Sequence, residues 1–116
     1  MVKEKRNAIN DASYKCEVSN AHYTFTKNNG KDYIEAHHLI PMEYYFDKRF
    51  ETNIDFSKNI FALCPNCHKK IHHSNDKDKK DLLTLLYNSR IEDLKKYYNL
   101  NLEILFELYN LKKFKE

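Results

Sequence analysis

The sequence predicts an α+β domain stapled by metal, and three observations carry that prediction. Two short β-prone runs, residues 23–26 and 32–36, flank Lys27-Asn28-Asn29-Gly30-Lys31, which holds the only glycine of the chain. Asn-Gly accepts positive φ angles at low cost, so the segment reads as a β-hairpin. Farther on, Leu83, Tyr87, Ile91, Leu94 and Tyr98 recur at spacings of four, four, three and four. That is the periodicity of one amphipathic helical face. Finally, all three cysteines and all six histidines lie within residues 16–73. Thiolate and imidazole are the usual ligands of borderline-soft divalent metals, so this confinement predicts one compact site or two adjacent ones.

The elements follow in order. Residues 3–14 are charged but carry Ala8, Ile9, Ala12 and Tyr14, which predicts a short amphipathic N-terminal helix. The hairpin comes next. Pro41 bars its second run from continuing as a central strand, and residues 42–58 read as an irregular, aromatic-rich connection. Proline is tolerated at a first helical turn, so a helix begins near Cys64-Pro65 and reaches about His73. Ser74-Asn75-Asp76 reads as a break and a cap. The periodic helix then runs until Asn99 to Asn101 interrupt it, and Leu102, Leu105, Phe106 and Tyr109 define a second helical face. The lysine-rich run 77–80 reads as a solvated helix start rather than a nucleic-acid patch. The chain thus divides into a core over residues 1–75 and a helical extension over 76–116 packed on the same domain.

Composition narrows the class. With 116 residues, 41% hydrophobic and 32% charged, the core is small, and such domains often need a metal or an oligomer contact. No apolar run approaches the roughly 18 residues of a membrane-spanning helix. The start, Met1-Val2-Lys3-Glu4-Lys5-Arg6, has no apolar signal segment, so a cytoplasmic protein is expected. An odd number of cysteines in such a chain favours metal binding over disulfides. The net charge of +3 permits nucleic-acid binding without demanding it.

Cys64 and Cys67 have the spacing by which two thiolates reach one tetrahedral zinc from a tight turn. Cys16 is the remaining thiol. Ser19 stands where a second Cys-x-x-Cys would put a cysteine, and His22 is the best fourth candidate. Such a site would tie the hairpin's entry to the start of the following helix. The alternative, a buried Cys16 beside an incidental pair, weighs less, because cysteines cluster this way chiefly for metal. His37 and His38 are adjacent at the end of the second β-prone run and should face differently. His68 and His72 share one helical face, whereas His73 points away. One strand histidine with one or two helix histidines could chelate a divalent cation with open positions for water and phosphate. The other strand histidine would then be free as a base.

In this order, Cys16…Glu35-Ala36-His37-His38-Leu39-Ile40-Pro41…Asn59-Ile60-Phe61-Ala62-Leu63-Cys64-Pro65-Asn66-Cys67-His68…His72 resembles the HNH endonucleases, in particular the zinc-stapled subgroup of bacterial restriction enzymes that includes those acting on 5-methylcytosine DNA. The resemblance is close over residues 14–73. It implies a ββα-metal fold gripping one divalent ion (Mg²⁺, Mn²⁺ or Ni²⁺, with zinc also open) beside a structural Zn²⁺. It also implies roles. His37 and His68, with His72 as a third ligand, would bind the catalytic ion, and His38 would deprotonate the attacking water. Asn59 would pin the loop that carries the base, while Glu35 matches a residue common in the subgroup. Products would carry 5′-phosphate and 3′-hydroxyl ends. The partner would be DNA, within a homodimer or a larger restriction or phage-defence assembly and away from membranes. Two other readings remain open: a zinc-stabilised DNA- or protein-binding module that has lost cleavage, and a zinc-knuckle scaffold with no second metal. The chain could also be the C-terminal piece of a longer protein.

Overall fold

A computed structural model describes residues 3–111. Helix α1 (Lys3–Asp11) buries Ala8 and Ile9. It ends before the predicted residue 14, because Ser13 and Tyr14 take left-handed φ angles of 54° and 57° and turn the chain back. Strand β1 (Glu35–His38) pairs antiparallel with strand β2 (Ile60–Leu63), Glu35 opposite Leu63 and His38 opposite Ile60. Helix α2 (Pro65–His73) follows directly. Three further helices complete the order: α3 (Asp76–Ser89), α4 (Ile91–Tyr98) and α5 (Leu102–Leu108).

The expected hairpin is present but short. Residues 23–26 and 32–36 run antiparallel through one bridge, Thr26 with Asp32, with Lys27 N–H to Lys31 C=O and Tyr33 N–H to Phe25 C=O at 2.8 Å each. Gly30 alone in that turn has positive φ, at 83°, so the turn is a type I reversal ending in a left-handed glycine. Tyr23 is 90% exposed, and a strand that buries nothing gains little from extending. The end of the second run pairs instead with Ile60–Leu63, a stretch the sequence reading left outside any strand. All four of its residues are buried, as an uninterrupted apolar run permits when both faces are covered.

The connection between the strands is irregular as expected, with single 3₁₀ turns at Met42–Tyr44 and Ser57–Asn59. The helix predicted through residues 83–98 is two helices, broken at Arg90 (φ −134°, ψ 32°). The apolar face survives the break: Leu83, Tyr87, Leu94 and Tyr98 are all buried. Caps fall where polar residues allow them. Asn75 accepts from Asp78 N–H, Asn101 accepts from Ile104 N–H, and Asn99 closes α4 in the left-handed region. Lys80, expected in solvent, is 5% exposed and lies 5.7 Å from the Phe106 ring centroid. Its aliphatic stem suits such a position. One apolar cluster runs from Ile9 through Phe61 and Ile71 to Leu111, so α3, α4 and α5 pack on the same interior as the sheet. Residues 112–116 of the expected extension lie outside the described residues. No helix among the described residues is long and apolar enough to cross a membrane.

Candidate metal centres and active site

Helix α2 carries chemistry at both ends. Cys64 is its N-cap, and its sulfur accepts the Cys67 N–H at 3.4 Å. The Cys-Pro-Asn-Cys turn thereby presents two sulfurs on one side. Cys16, in the segment after α1, and His22, on the outer edge of the bridged loop, complete a group whose ligand atoms all lie within 4.8 Å of one another. His22 Nδ1 stands 3.3 Å from Cys67 Sγ and 3.8 Å from Cys64 Sγ. The three thiols are buried and unbridged. Burial alone would raise the Cys16 thiol, but backbone hydrogen bonds from Cys64, Val18 and Ser19, with the His22 ring, outweigh it and hold the group at about 7. Burial and the neighbouring sulfurs push Cys67 strongly upward. Three crowded sulfurs cannot all ionise without a cation, and a divalent ion supplies that charge. A Cys₃His set closes a tetrahedron and leaves no open position, the pattern of a structural zinc site.

A second group forms where α2 crosses β1. His37, His68 and His72 bring one ring nitrogen each within 4.8 Å of the others. Their rings meet edge to face or tilted, at centroid separations of 5.0–5.3 Å. His37 is buried, His68 half-buried and His72 exposed, so the group opens on one side. A shallow cleft of about 210 Å³ lined by Ala36, His37, His38, Pro41, Met42, His68 and His72 marks that opening. Desolvation, then the charges of the neighbouring histidines, holds His37 well below the ordinary imidazole range, and desolvation lowers His72 as well. Neutral imidazoles are the form that binds metal. His73, exposed and 6.3 Å ring to ring from His72, stays outside the trio.

His68, His37 and His38 each have a partner that fixes the ring. Glu35 Oε1 stands 2.8 Å from His68 Nδ1, and its other oxygen accepts the Tyr33 hydroxyl at 2.8 Å. Although burial opposes it, these two bonds keep the Glu35 carboxyl below its usual value. A carboxylate on one ring nitrogen leaves Nε2 of His68 for an ion, the usual orienting arrangement around metal-binding histidine. His37 Nε2 lies 3.0 Å from the Tyr109 hydroxyl. His38, which lines the same cleft, has its Nε2 2.9 Å from Asp55 Oδ1, with side chains 10% and 31% exposed. Asp55 comes from the irregular connection, so the loop has a definite task.

Asn59 is completely buried. Its Oδ1 accepts the Ile40 N–H at 2.8 Å, while Nδ2 donates to the carbonyls of Ile40 at 3.1 Å and Ile54 at 2.9 Å. One side chain therefore fastens the segment after His38 to the segment before Asp55. The turn that holds Asn59 is fastened in its own right. Arg90, at the α3–α4 break, donates to the carbonyls of Ser57, Lys58 and Ile60 at 2.9–3.2 Å and to Glu17 at 2.6 Å. Its guanidinium covers the Phe61 ring at 3.9 Å.

All nine residues singled out in the sequence thus fall into these two groups or beside them. Sequence reasoning missed Asp55, Tyr109 and Arg90. They lie 17 or more positions from the groups they hold, in segments without a motif, and no local pattern marks them.

A family model described as HNH endonuclease matches residues 16–74. The chain is also similar to the type IV methyl-directed restriction enzyme EcoKMcrA of Escherichia coli (strain K12), with 38% identity over 72 residues. That alignment covers 62% of this chain and 23% of the relative, so the chain spans less than a quarter of that protein's length.

Proposed function

Because the chain belongs to the HNH endonuclease family, we propose that it is a metal-dependent DNA endonuclease, the nuclease part of a restriction or phage-defence system. The observation that carries this reading is the open His37–His68–His72 group with the His38–Asp55 pair beside it on the same strand. Phosphodiester hydrolysis needs a generated nucleophile and a neutralised anion. His38 meets the first need. Asp55 accepts a hydrogen bond from Nε2–H of the ring, so Nδ1 is bare and can accept a proton from water. Asn59 sets the height of that ring by anchoring the chain on both sides of the pair. His37, His68 and His72 would hold a divalent cation, which when bound neutralises phosphate charge and stabilises the departing 3′ oxygen. Products with 5′-phosphate and 3′-hydroxyl ends follow from that direction of cleavage.

Cys16, His22, Cys64 and Cys67 would hold zinc as a staple. The reading keeps the nuclease core within residues 1–75 and takes 76–116 as a helical extension of the same unit, supported by the shared apolar cluster. Cleaving both strands with one such site requires two copies or two successive nicks.

The test compares the protein with its His38→Ala variant on modified and unmodified plasmid, each with Mg²⁺, Mn²⁺ or Ni²⁺. General-base assistance contributes about 10²–10⁴-fold, so the variant should lose practical cleavage while keeping its fold. No cleavage by either protein would favour a zinc-stabilised binding module. Equal cleavage by both would remove His38 as the base.

A further inference from the structure

We infer that Tyr109, in the C-terminal helical extension, is a positioning residue for the reactive ion: it fixes the tautomer of His37 so that Nδ1 faces the metal. This rests on the reading of His37 as an ion ligand and adds a residue 72 positions away to that site. The argument is a proton count. A phenol carries one O–H, and the Tyr109 hydroxyl stands 2.7 Å from the Leu39 carbonyl oxygen, a group that can only accept. The phenolic proton therefore goes to Leu39. The same oxygen lies 3.0 Å from His37 Nε2, and with its proton committed it can only accept there. Nε2 must then bear hydrogen, which leaves Nδ1 as the bare nitrogen.

His68 is presented the other way round, since Glu35 accepts a hydrogen bond from its Nδ1–H and leaves Nε2 bare. The two buried sides of the ion site thus use opposite ring nitrogens, each selected by its own partner. The end of α5 is well placed for this task. The carbonyl of Leu108, one residue before Tyr109, accepts the Tyr44 hydroxyl at 2.9 Å, and backbone bonds from Asn110 to Glu107 and from Leu111 to Phe106 close the helix end at 2.9 Å each. The phenol is therefore held against β1 from both directions.

Long-range ¹H–¹⁵N correlation spectra of the metal-free histidine trio and Ni²⁺ titration calorimetry test this without any cleavage assay. The wild-type protein should show His37 protonated at Nε2. Tyr109→Phe keeps the ring but removes the acceptor, so the His37 signals should move toward a tautomer mixture and Ni²⁺ affinity should fall about 10–100-fold. Tyr98→Phe breaks another tail-to-loop bond, to the Asn53 carbonyl at 2.9 Å, without touching His37 or α5 and should change neither readout. A wild-type His37 protonated at Nδ1 would overturn the inference, even if Tyr109→Phe failed to fold. So would Tyr109→Phe binding Ni²⁺ within twofold of wild type. Ni²⁺ binding that His37→Ala leaves intact would instead overturn the ligand reading on which the inference stands.

Discussion

Replacing Asn59 by alanine should separate what holds the site together from what performs its chemistry. The substitution removes one acceptor and two donations at a fully buried position, where water cannot take over. The orphaned Ile40 N–H costs about 1–3 kcal/mol, and each carbonyl, at Ile40 and Ile54, loses a bond worth about 0.5–1.5 kcal/mol. The loss is therefore about 2–6 kcal/mol, against roughly 6–17 kcal/mol for a whole domain of this length. Most molecules should stay folded at room temperature. Their chains would nevertheless have lost the anchor shared by the His38 and Asp55 segments, and a misplacement of about 1 Å can cost on the order of 10²-fold in rate. Urea unfolding of the ion-loaded protein measures the first effect. Plasmid cleavage well below the unfolding midpoint measures the second. A stability loss under about 1 kcal/mol, or undiminished cleavage by the folded variant, would refute the assignment of Asn59 as the anchor.

Other outcomes follow from the same contacts. Asp55→Asn should lower the single-turnover cleavage rate by on the order of 10²-fold with little change in DNA affinity, since an amide no longer enforces the Nε2–H form of His38; a rate within twofold of wild type would exclude the pair as a unit. Arg90→Lys should cost about 2–4 kcal/mol, because an ammonium cannot span three carbonyls, Glu17 and the Phe61 ring at once, and thermal unfolding would reveal it. Chelation at neutral pH should lower the melting temperature sharply and expose Cys16, Cys64 and Cys67 to a thiol reagent, given that structural zinc contributes about 10–16 kcal/mol in small domains; unchanged melting would remove the staple. In protein that keeps its zinc but has no ion at the histidine group, acid should destabilise the fold from about pH 6.5 downward. His37 and His72 have folded values below the ordinary 6.5, so the unfolded chain binds more protons in that window and stability falls as pH drops. Stability constant between pH 7 and 5 would contradict the burial of His37.

The two ligand sets were legible because cysteine and histidine are few, confined and spaced for chelation. Cys64 and Cys67 fix a turn, His68 and His72 fix a helix face, and neither depends on distant chain. The main strand pairing was missed for the opposite reason. Residues 23–26 have strand propensity but no apolar partner to cover, whereas Ile60–Leu63 draws its partner from burial that only the folded interior provides. The break at Arg90 was hidden because the apolar face runs unbroken across it, and periodicity reports the face rather than the backbone. Asp55, Tyr109 and Arg90 were illegible for a third reason. Each acts across long sequence separation through one or a few hydrogen bonds, and a single polar residue leaves no pattern.

Helix α2 is nine residues long and carries Cys64 and Cys67 at one end, His68 and His72 along its length. Two ion sites on so short a rigid body cannot be energetically independent. Closing the thiolate site fixes the helix relative to residues 16–22, which spares the histidine site part of the ordering that its own ion would otherwise have to impose. Linkage makes this coupling reciprocal: whatever factor zinc adds to the affinity of the second ion, that ion returns to zinc. With both ions bound as proposed, a nuclease built this way would sense its own metal supply. Depletion of either ion loosens the other, so the enzyme would switch off over a narrower range of metal concentration than two separate sites would allow.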